Sequence, residues 1–227
     1  MARHHDNISC RFEHNAVLVS GIIADTPSET IVAFGEEMCA IALNVMRVSQ
    51  VVDSIPVYIP ARLIAVSPTL TLNAGDFVSV SGKLLSTADQ NGRNFAKVVA
   101  SLVTNQSKDA PYINRVSLTG EISISPVHYT TSRTERKITT VVLDTPYSIE
   151  EAGGTARIPT ILWGAAADAA AQYTKGETIS VRGRIQSRSV SRTDKNGEDE
   201  LFDTVEVSAS ALIPIERMLG FGEGIFG

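Results

Sequence analysis

The stretch Asn15-Ala-Val-Leu-Val-Ser-Gly21 returns in the second half of the chain as Asn114-Arg-Val-Ser-Leu-Thr-Gly120. Two more blocks recur in the same order: Gly75-Asp-Phe-Val-Ser-Val-Ser-Gly82-Lys-Leu returns as Gly176-Glu-Thr-Ile-Ser-Val-Arg-Gly183-Arg-Ile, and Ile55-Pro56 as Ile158-Pro159. An internal repeat of this kind constrains the architecture before any single element is assigned. We therefore expect two homologous domains joined near residues 106–111.

Length and composition agree with this division. The chain has 227 residues, 43% of them hydrophobic, and a formal net charge of −5. That is enough for two domains of about 100 residues each. We expect a degenerate first domain at 1–107, a second domain at 108–216 and a short Gly-rich tail at 217–227. The acidic balance excludes a protein coated in positive charge, but it does not exclude a local basic patch.

The expected location is the cytoplasm. The charged start of the chain does not resemble a signal peptide, and no run approaches the roughly 20 apolar residues of a membrane span. Cys10 and Cys39 lack the CxxC spacing of redox and zinc sites, and two cysteines do not make a disulfide framework. Reduced thiols in the cytoplasm are the simplest interpretation.

Each half is predicted to be mostly β-strand with one short helix. Alternating, β-branched segments are bounded by Gly, Pro and Asn-Gly turn signals. The helix of the second half is Ala-rich and covers 165–173, whereas the matching stretch 61–73 contains Pro68 and favours a weaker helix. In each half three strands are followed by one helix and then by a hairpin, which is the order of elements in an OB fold. The sequence therefore predicts an all-β chain of two tandem OB-fold, five-stranded Greek-key barrels.

One strand of the second half carries a row of arginines. Period-two alternation places Ile179, Val181 and Ile185 on one face of that strand. The opposite face and the following loop carry Arg182, Arg184, Gln186, Arg188, Arg192 and Lys195. Guanidinium groups in a row suit the phosphates of a nucleic acid, and they can also stack on bases. A solvated strand face is the alternative interpretation of the same pattern.

Proteins that bind single-stranded nucleic acid use exposed aromatic residues in addition to positive charge, because an exposed ring can stack on any base. Trp163, the only tryptophan, ends a strand, and Tyr129 lies in a loop with Arg133, Arg136 and Lys137. Trp163 is equally suited to core or subunit packing, since tryptophan is highly buried on average. Tyr147 also fits either role.

The first half is poorer in such residues. Its candidates for nucleic-acid contact are Tyr58, Lys83, Arg93, Phe95 and Lys97, with Pro60 at the position of the tryptophan. The strand equivalent to the arginine row is expected to turn Phe77, Ser79, Ser81, Lys83 and Leu85 outward. We interpret this half as a weaker binder or a scaffold for assembly.

Signatures of enzymes are missing from the sequence. It has no Gly-rich phosphate loop, no GxSxG, no HExxH and no Cys/His set with zinc spacing. The four histidines form no recognisable metal site. We therefore expect a protein without catalytic residues, metal or cofactor.

Four motifs follow one another in the second half, after a first strand at Asn114 to Gly120: Leu162-Trp163-Gly164, Lys175-Gly176, Ile179-Ser-Val181 and Gly183-Arg-Ile-Gln-Ser-Arg188. Together they give this half a resemblance to the bacterial single-stranded DNA-binding protein (SSB) family. The resemblance covers about 112–215 well and 13–105 loosely. It implies an OB barrel that wraps single-stranded DNA in replication, recombination and repair.

The resemblance also suggests roles for individual residues. Trp163 and Tyr129 occupy places where the family has DNA-contacting aromatics, and Arg184 and Arg188 lie on its basic strand. Arg157 and Val190 stand where the family commonly has stacking aromatics, which implies weaker binding or a changed binding path.

Family members usually assemble four OB folds, so two repeats per chain imply a homodimer associated with the nucleoid. Family members commonly recruit partner enzymes through an acidic C-terminal tip; here residues 220–227 contain one acid, Glu223, and end in Ile225-Phe226-Gly227, so we do not expect recruitment of that kind. Two alternatives stay open: a PriB-like primosomal protein, and a structural OB-fold adaptor that acts through protein contacts.

Overall fold

The computed structural model describes residues 15–27, 30–88, 94–149, 152–193 and 199–213. These residues form eleven strands and two short helices, which confirms the all-β prediction. The elements of the first half are β1 (Asn15–Ile23), β2 (Thr30–Ala33), β3 (Glu36–Met46), β4 (Val52–Pro60), α1 (Ala61–Ala65), β5 (Phe77–Ala88) and β6 (Asn94–Asn105). Those of the second half are β7 (Ile113–Thr130), β8 (Lys137–Ile149), β9 (Ala152–Trp163), α2 (Ala165–Ala170), β10 (Thr178–Thr193) and β11 (Asp199–Ile213).

Each half closes into a barrel of the predicted OB type. In the second half the strands neighbour one another in the order β10, β11, β9, β8, β7, and β7 pairs back to β10. In the first half the order is β1, β5, β6, β4, β3, and β3 pairs back to β1, with β2 added at the outer edge. The parallel pairs β4–β6 and β9–β11 are equivalent in the two barrels. Two tandem barrels are thus confirmed, while the boundary at 107/108 stays a prediction.

The two barrels join edge to edge through their first strands. β1 and β7 pair antiparallel, with Val17 opposite Val116, Asn15 opposite Leu118 and Val19 opposite Asn114. Because the repeat makes Asn15 equivalent to Asn114, and Val19 to Leu118, this register places a pseudo-twofold axis at the Val17–Val116 pair. Both valines are buried. One continuous sheet therefore runs through both barrels.

The repeated asparagine has a structural purpose. Asn114 donates from Nδ2 to the Ile185 carbonyl at 2.7 Å and accepts from the Ile185 N–H at 2.8 Å. Asn15 makes the same two bonds with Leu84, at 2.7 and 2.8 Å. A side-chain amide has one donor group and one acceptor in the geometry of a peptide, so it can replace a strand neighbour. This explains why Asn returns at the start of each repeat.

Both helices are short for reasons visible in the sequence. α1 lasts five residues and ends just before the region of Pro68, whose ring is incompatible with a continuing helix. α2 is built from alanine, and Ala166, Ala167 and Ala170 face the core. α2 has six residues against five in α1 and ends three residues before Tyr173, so both helices are shorter than the stretches expected from the sequence. Among the described residues, neither helix has the length and apolarity needed to cross a membrane.

The expectation that Phe77 and Leu85 face outward on β5 is wrong. Phe77 packs edge-to-face on Tyr112, with ring centroids 5.1 Å apart, and Leu85 is fully buried. The cause is tertiary: the second barrel packs against the far half of β5, where the Arg157 N–H donates to Ser86 Oγ at 2.8 Å. A period-two pattern predicts which side chains are buried when one face of a strand is in contact with solvent. The prediction fails where a neighbouring domain covers that face as well.

Gly183 is required where β10 crosses β11 at a bulge. A Cβ at this position would overlap the backbone of Ser208 and Ala209. We expect Gly183→Ala to lower the free energy of unfolding by about 1–3 kcal/mol, because the strands must separate to admit the methyl group. Urea unfolding measures the change. Gly153→Ala is the matched control, since its Cβ would meet only the Tyr147 carbonyl at 3.6 Å. Equal stability of the two variants would contradict this packing argument.

Candidate nucleic-acid interface

A large basic cleft crosses the seam between the barrels. Its volume is about 1090 Å³, and its described lining contains five arginines and no carboxylate. Arg182 and Arg184 lie on β10 and Arg115 on β7, whereas Arg136 belongs to the β7–β8 hairpin and Arg47 directly follows β3 of the first half. Trp163 is the one aromatic residue of the described lining. Clustered guanidinium groups beside an indole are suited to a polyanion that also carries flat bases.

Strand pairing explains how residues far apart in sequence line one cleft. β7 lies between β1 and β10, with Arg115 opposite Leu18 on one side and Ser117 opposite Arg182 on the other. Arg115 and Arg182 are both exposed. Neither has an ion-pair partner among the residues that the structure describes. The cleft therefore depends on the joining of the barrels, because its lining includes Ala16 to Leu18 from the first strand of the first barrel.

A buried ion pair anchors the inner end of the cleft. The Asp53 carboxylate is fully buried and binds Arg47 through two hydrogen bonds, at 2.7 Å to Nε and 2.5 Å to Nη2. It also accepts the backbone N–H of Ser187 from the second barrel at 2.9 Å. The hydrogen bonds that Arg47 donates to Asp53 raise the pKa of Arg47. The pair thus keeps Arg47 charged and ties the two barrels together.

Arg184 lies beside this ion pair, and one of its hydrogen-bond donors has no acceptor among the described residues. Its Nη2 donates to Gln186 Oε1 at 3.1 Å, whereas its buried Nε has no hydrogen-bond partner among the described residues. Burial, and then the positive charge of Arg47, lower the pKa of Arg184, while Asp53 raises it. A buried guanidinium N–H without an acceptor is unfavourable, and an anion entering the cleft would supply that acceptor.

Trp163 is held at one end of the cleft. Its indole Nε1 donates to Ser208 Oγ at 3.1 Å, and the ring is half-buried. The ring also lines a smaller depression of about 460 Å³ with Glu135, Arg136 and Lys137. The indole is therefore fixed by one hydrogen bond, and openings in the surface reach it from both the cleft and the β7–β8 hairpin.

Tyr129 is brought near Trp163 by the register of three strands. Tyr129 is opposite Ile138 on β8, and Ile138 is opposite Trp163 on β9. Directly opposed residues point to the same face of a sheet, so both rings flank Ile138. Tyr129 is 44% exposed. Arg133 and Arg136 are exposed in the same hairpin, while Lys137 forms an ion pair with Asp168 at 2.8 Å.

Three of the expected contact residues lie at the junction of the barrels instead. Tyr147 packs edge-to-face on Phe34 of the first barrel, with centroids 6.1 Å apart. Arg157 forms an ion pair with Asp144 at 3.0 Å, and the hydrogen bond that it donates to this carboxylate raises the pKa of Arg157. Lys83 donates to the Ser148 carbonyl at 2.9 Å.

The other expected contacts are divided between a second cavity and the undescribed parts of the chain. Tyr58, Phe95, Lys97 and Arg188 line a cavity of about 720 Å³. Arg188 also forms an ion pair with Glu206 at 3.2 Å, so its charge is partly neutralised. Arg93 and Lys195, like both Asn-Gly turns, lie outside the described residues. Arg192 belongs to β10, but its side chain is outside the described part.

Sequence reasoning missed Arg47 and Arg115. Arg115 could have been found, because Val116 and Leu118 are inward residues of a repeated strand and the alternation therefore turns Arg115 outward. Arg47 carried no such signal. It directly follows β3 in the first barrel and reaches the cleft because β1 and β7 pair, a contact that the sequence pattern does not specify.

Residues 113–212 match the model of the "Single-strand binding protein family". A single-stranded DNA-binding protein from Clostridium tetani is 36% identical over 85 residues. Those residues are 36% of this chain and 59% of the Clostridium protein, so the chain spans less than two thirds of that relative. The match confirms the resemblance that the sequence indicated in the second half.

Solved structures extend the comparison to both barrels. The wild-type single-stranded DNA-binding protein from Thermus aquaticus aligns with a TM-score of 0.66 at 18% identity, covering 88% of this chain and 91% of its own. A deletion variant of that protein gives a TM-score of 0.64. Coverage of 88% exceeds what either barrel contains, so the fold similarity includes both. The N-terminal domain of PriB from Thermoanaerobacter tencongensis aligns over 42% of this chain with a TM-score of 0.36, which supports no conclusion.

Proposed function

We propose that the protein coats single-stranded DNA, on the basis that residues 113–212 match the model of the single-strand binding protein family. It does so as a binding protein and not as an enzyme, in DNA replication, recombination or repair. The observation that carries the proposal is the arginine cleft with Trp163 at its end and no carboxylate in its described lining. The cytoplasmic, nucleoid-associated location expected from the sequence is part of the same proposal.

The chemistry of the cleft supports a single strand as the ligand. Arginines of both barrels line the cleft, so they can contact successive phosphates of a strand that crosses from one barrel to the other. A half-buried indole and an exposed tyrosine flank the same point of the sheet, where unpaired bases can stack. Stacking needs bases that are free of a partner strand, so the aromatic residues favour single-stranded over double-stranded DNA.

Trp163 itself reports on binding, because it is the single tryptophan. We expect titration with oligo-dT to quench its fluorescence, and the affinity to fall as salt rises, since binding releases counterions. No binding to dT of any length at low salt would overturn the proposal and leave the adaptor alternative.

Arg182 is expected to contribute one phosphate contact. Arg182→Ala should reduce the slope of log K against log salt by about 0.7, the value for one phosphate of a single strand. Arg62→Ala is the matched control, because Arg62 lies on α1 and does not line the cleft. The salt slope, measured by titration at four or more salt concentrations, should stay unchanged in the control. An unchanged slope in Arg182→Ala would remove Arg182 from the interface.

We further propose that two chains associate as a homodimer with four OB barrels. Two observations support this proposal: each chain has two barrels, and members of the family that the chain resembles usually assemble four. Sedimentation analysis tests it, and a strict monomer at micromolar concentration would contradict it.

A further inference from the structure

A second cavity lies between the barrels and shares no residue with the arginine cleft. Its volume is about 720 Å³. Strands β4 and β6 of the first barrel contribute Tyr58, Phe95 and Lys97, and strand β10 of the second barrel contributes Arg188. Pockets of 300–1,000 Å³ hold small ligands in proteins, so the space suits a group the size of a nucleotide.

Lys97 is a buried cation, and the one carboxylate in the described lining of the cavity, Asp203, accepts from Ser189 Oγ at 2.5 Å rather than from Lys97. The residue is 8% exposed, and its Nζ donates to Thr87 Oγ1 at 2.5 Å and lies 4.7 Å from the centroid of the Tyr58 ring. No ion pair of Lys97 is found among the residues that the structure describes. Burial lowers its pKa, as expected for a charge removed from water. Such a site gains stability when an anion binds to it.

The residue equivalent to Lys97 in the second barrel is also charged and buried, but it has a partner of opposite charge. The pairs Val57–Val98 and Thr160–Val207 are equivalent in the two barrels, so Lys97 corresponds to Glu206. Glu206 is also buried, but it accepts from Gln186 Nε2 at 2.7 Å and pairs with Arg188 at 3.2 Å. The second barrel thus neutralises its buried charge internally, while the first barrel leaves Lys97 open to the cavity.

We propose that this cavity holds one nucleotide of the bound single strand, with a phosphate on Lys97 Nζ and the base against Tyr58 or Phe95. The inference rests on the proposed function, and it deepens that function by assigning a DNA contact to the barrel that is poorer in basic residues. Lys97 Nζ has a neutral acceptor in Thr87 Oγ1, and a phosphate oxygen would add the anionic acceptor that the described residues do not provide. Because both barrels line the cavity, a strand bound there passes from one barrel to the other.

Lys97→Met tests the phosphate contact. We expect this variant to lose about tenfold in affinity for a long dT, the effect of one hydrogen bond to a charged group. Its affinity for a dT too short to reach from the cleft to the cavity should stay at the wild-type value. Lys175→Met, the same change at an exposed lysine, is the matched control and should bind both lengths normally. The melting temperature of Lys97→Met checks that the fold is intact.

Photo-crosslinking of the wild-type protein provides a second, positional test. An oligonucleotide carrying 5-iodouracil should crosslink to peptides that contain Tyr58 or Phe95. If Lys97→Met folds and binds long dT as the wild type does, or if neither peptide is crosslinked, the cavity proposal is overturned. If dT still quenches the fluorescence of Trp163 in the same samples, the protein binds single-stranded DNA and only the cavity proposal is wrong. Absence of any dT binding would instead overturn the proposed function itself.

Discussion

Replacing Trp163 by alanine is expected to weaken binding of oligo-dT by about 5- to 150-fold, which corresponds to the roughly 1–3 kcal/mol of one base–aromatic stack. The salt dependence should stay as in the wild type, because the indole contacts a base and not a phosphate. Since the variant has no tryptophan, affinity is measured by the anisotropy of a fluorescently labelled dT. The same label on the wild-type protein gives the reference value.

Trp163→Phe is the matched control for this prediction. Phenylalanine keeps a stacking ring but loses the hydrogen bond to Ser208 Oγ, so it should retain much of the affinity that alanine loses. Melting temperatures of both variants separate a loss of stacking from a loss of fold. Wild-type affinity in Trp163→Ala would mean that the tryptophan only packs between the strands, the alternative that the sequence left open.

Replacing Asp53 by alanine is expected to lower the free energy of unfolding by about 3–5 kcal/mol. The reason is that the change leaves two partly buried groups without a partner and empties the buried position of the carboxylate. Arg47 loses both hydrogen bonds of its guanidinium group, and the N–H of Ser187 loses its acceptor across the barrel junction. Urea unfolding followed by circular dichroism measures the difference.

Two further variants isolate the cause of that loss. Asp144→Ala breaks the exposed pair with Arg157 and should change stability by less than about 1 kcal/mol, because solvent screens such pairs. The double variant Arg47→Met, Asp53→Asn removes both charges and keeps an oxygen for the N–H of Ser187, so it should recover part of the stability. If Asp53→Ala and Asp144→Ala proved equally stable, the buried pair would have no structural importance.

The sequence predicted the fold well because the repeat and the strand alternation are local properties. Ile55, Val57 and Ile59 alternate along β4 and are all fully buried. The glycines of the repeat mark places where two strands approach closely: Gly21 and Gly120 face the backbone of Asn44 and Asp144, and Gly183 faces that of Ser208. Local sequence is sufficient for such features, since each depends on steric limits at one position.

The candidate site was predicted only in part. Trp163, Arg136, Arg182 and Arg184 line the cleft as a nucleic-acid interface would require. Tyr147 and Arg157 were assigned from the same kinds of signal, yet they contact Phe34, Asp144 and Ser86 at the junction. Chemical type does not distinguish a surface aromatic or arginine from one that joins two domains.

The sequence by itself determined the number of barrels, their strand order and the strand that carries the arginine row, because these follow from repetition and from period-two alternation. The tertiary structure decided which of those charges remain available. The pairing of β1 with β7 joins Arg47 and Arg115 to the row in one cleft, and the packing of β5, β6 and β10 buries Leu85 and encloses Lys97. Exposure at the junction depends on contacts between residues far apart in the sequence, such as Arg157 with Ser86 and Ser187 with Asp53, so no local pattern encodes it.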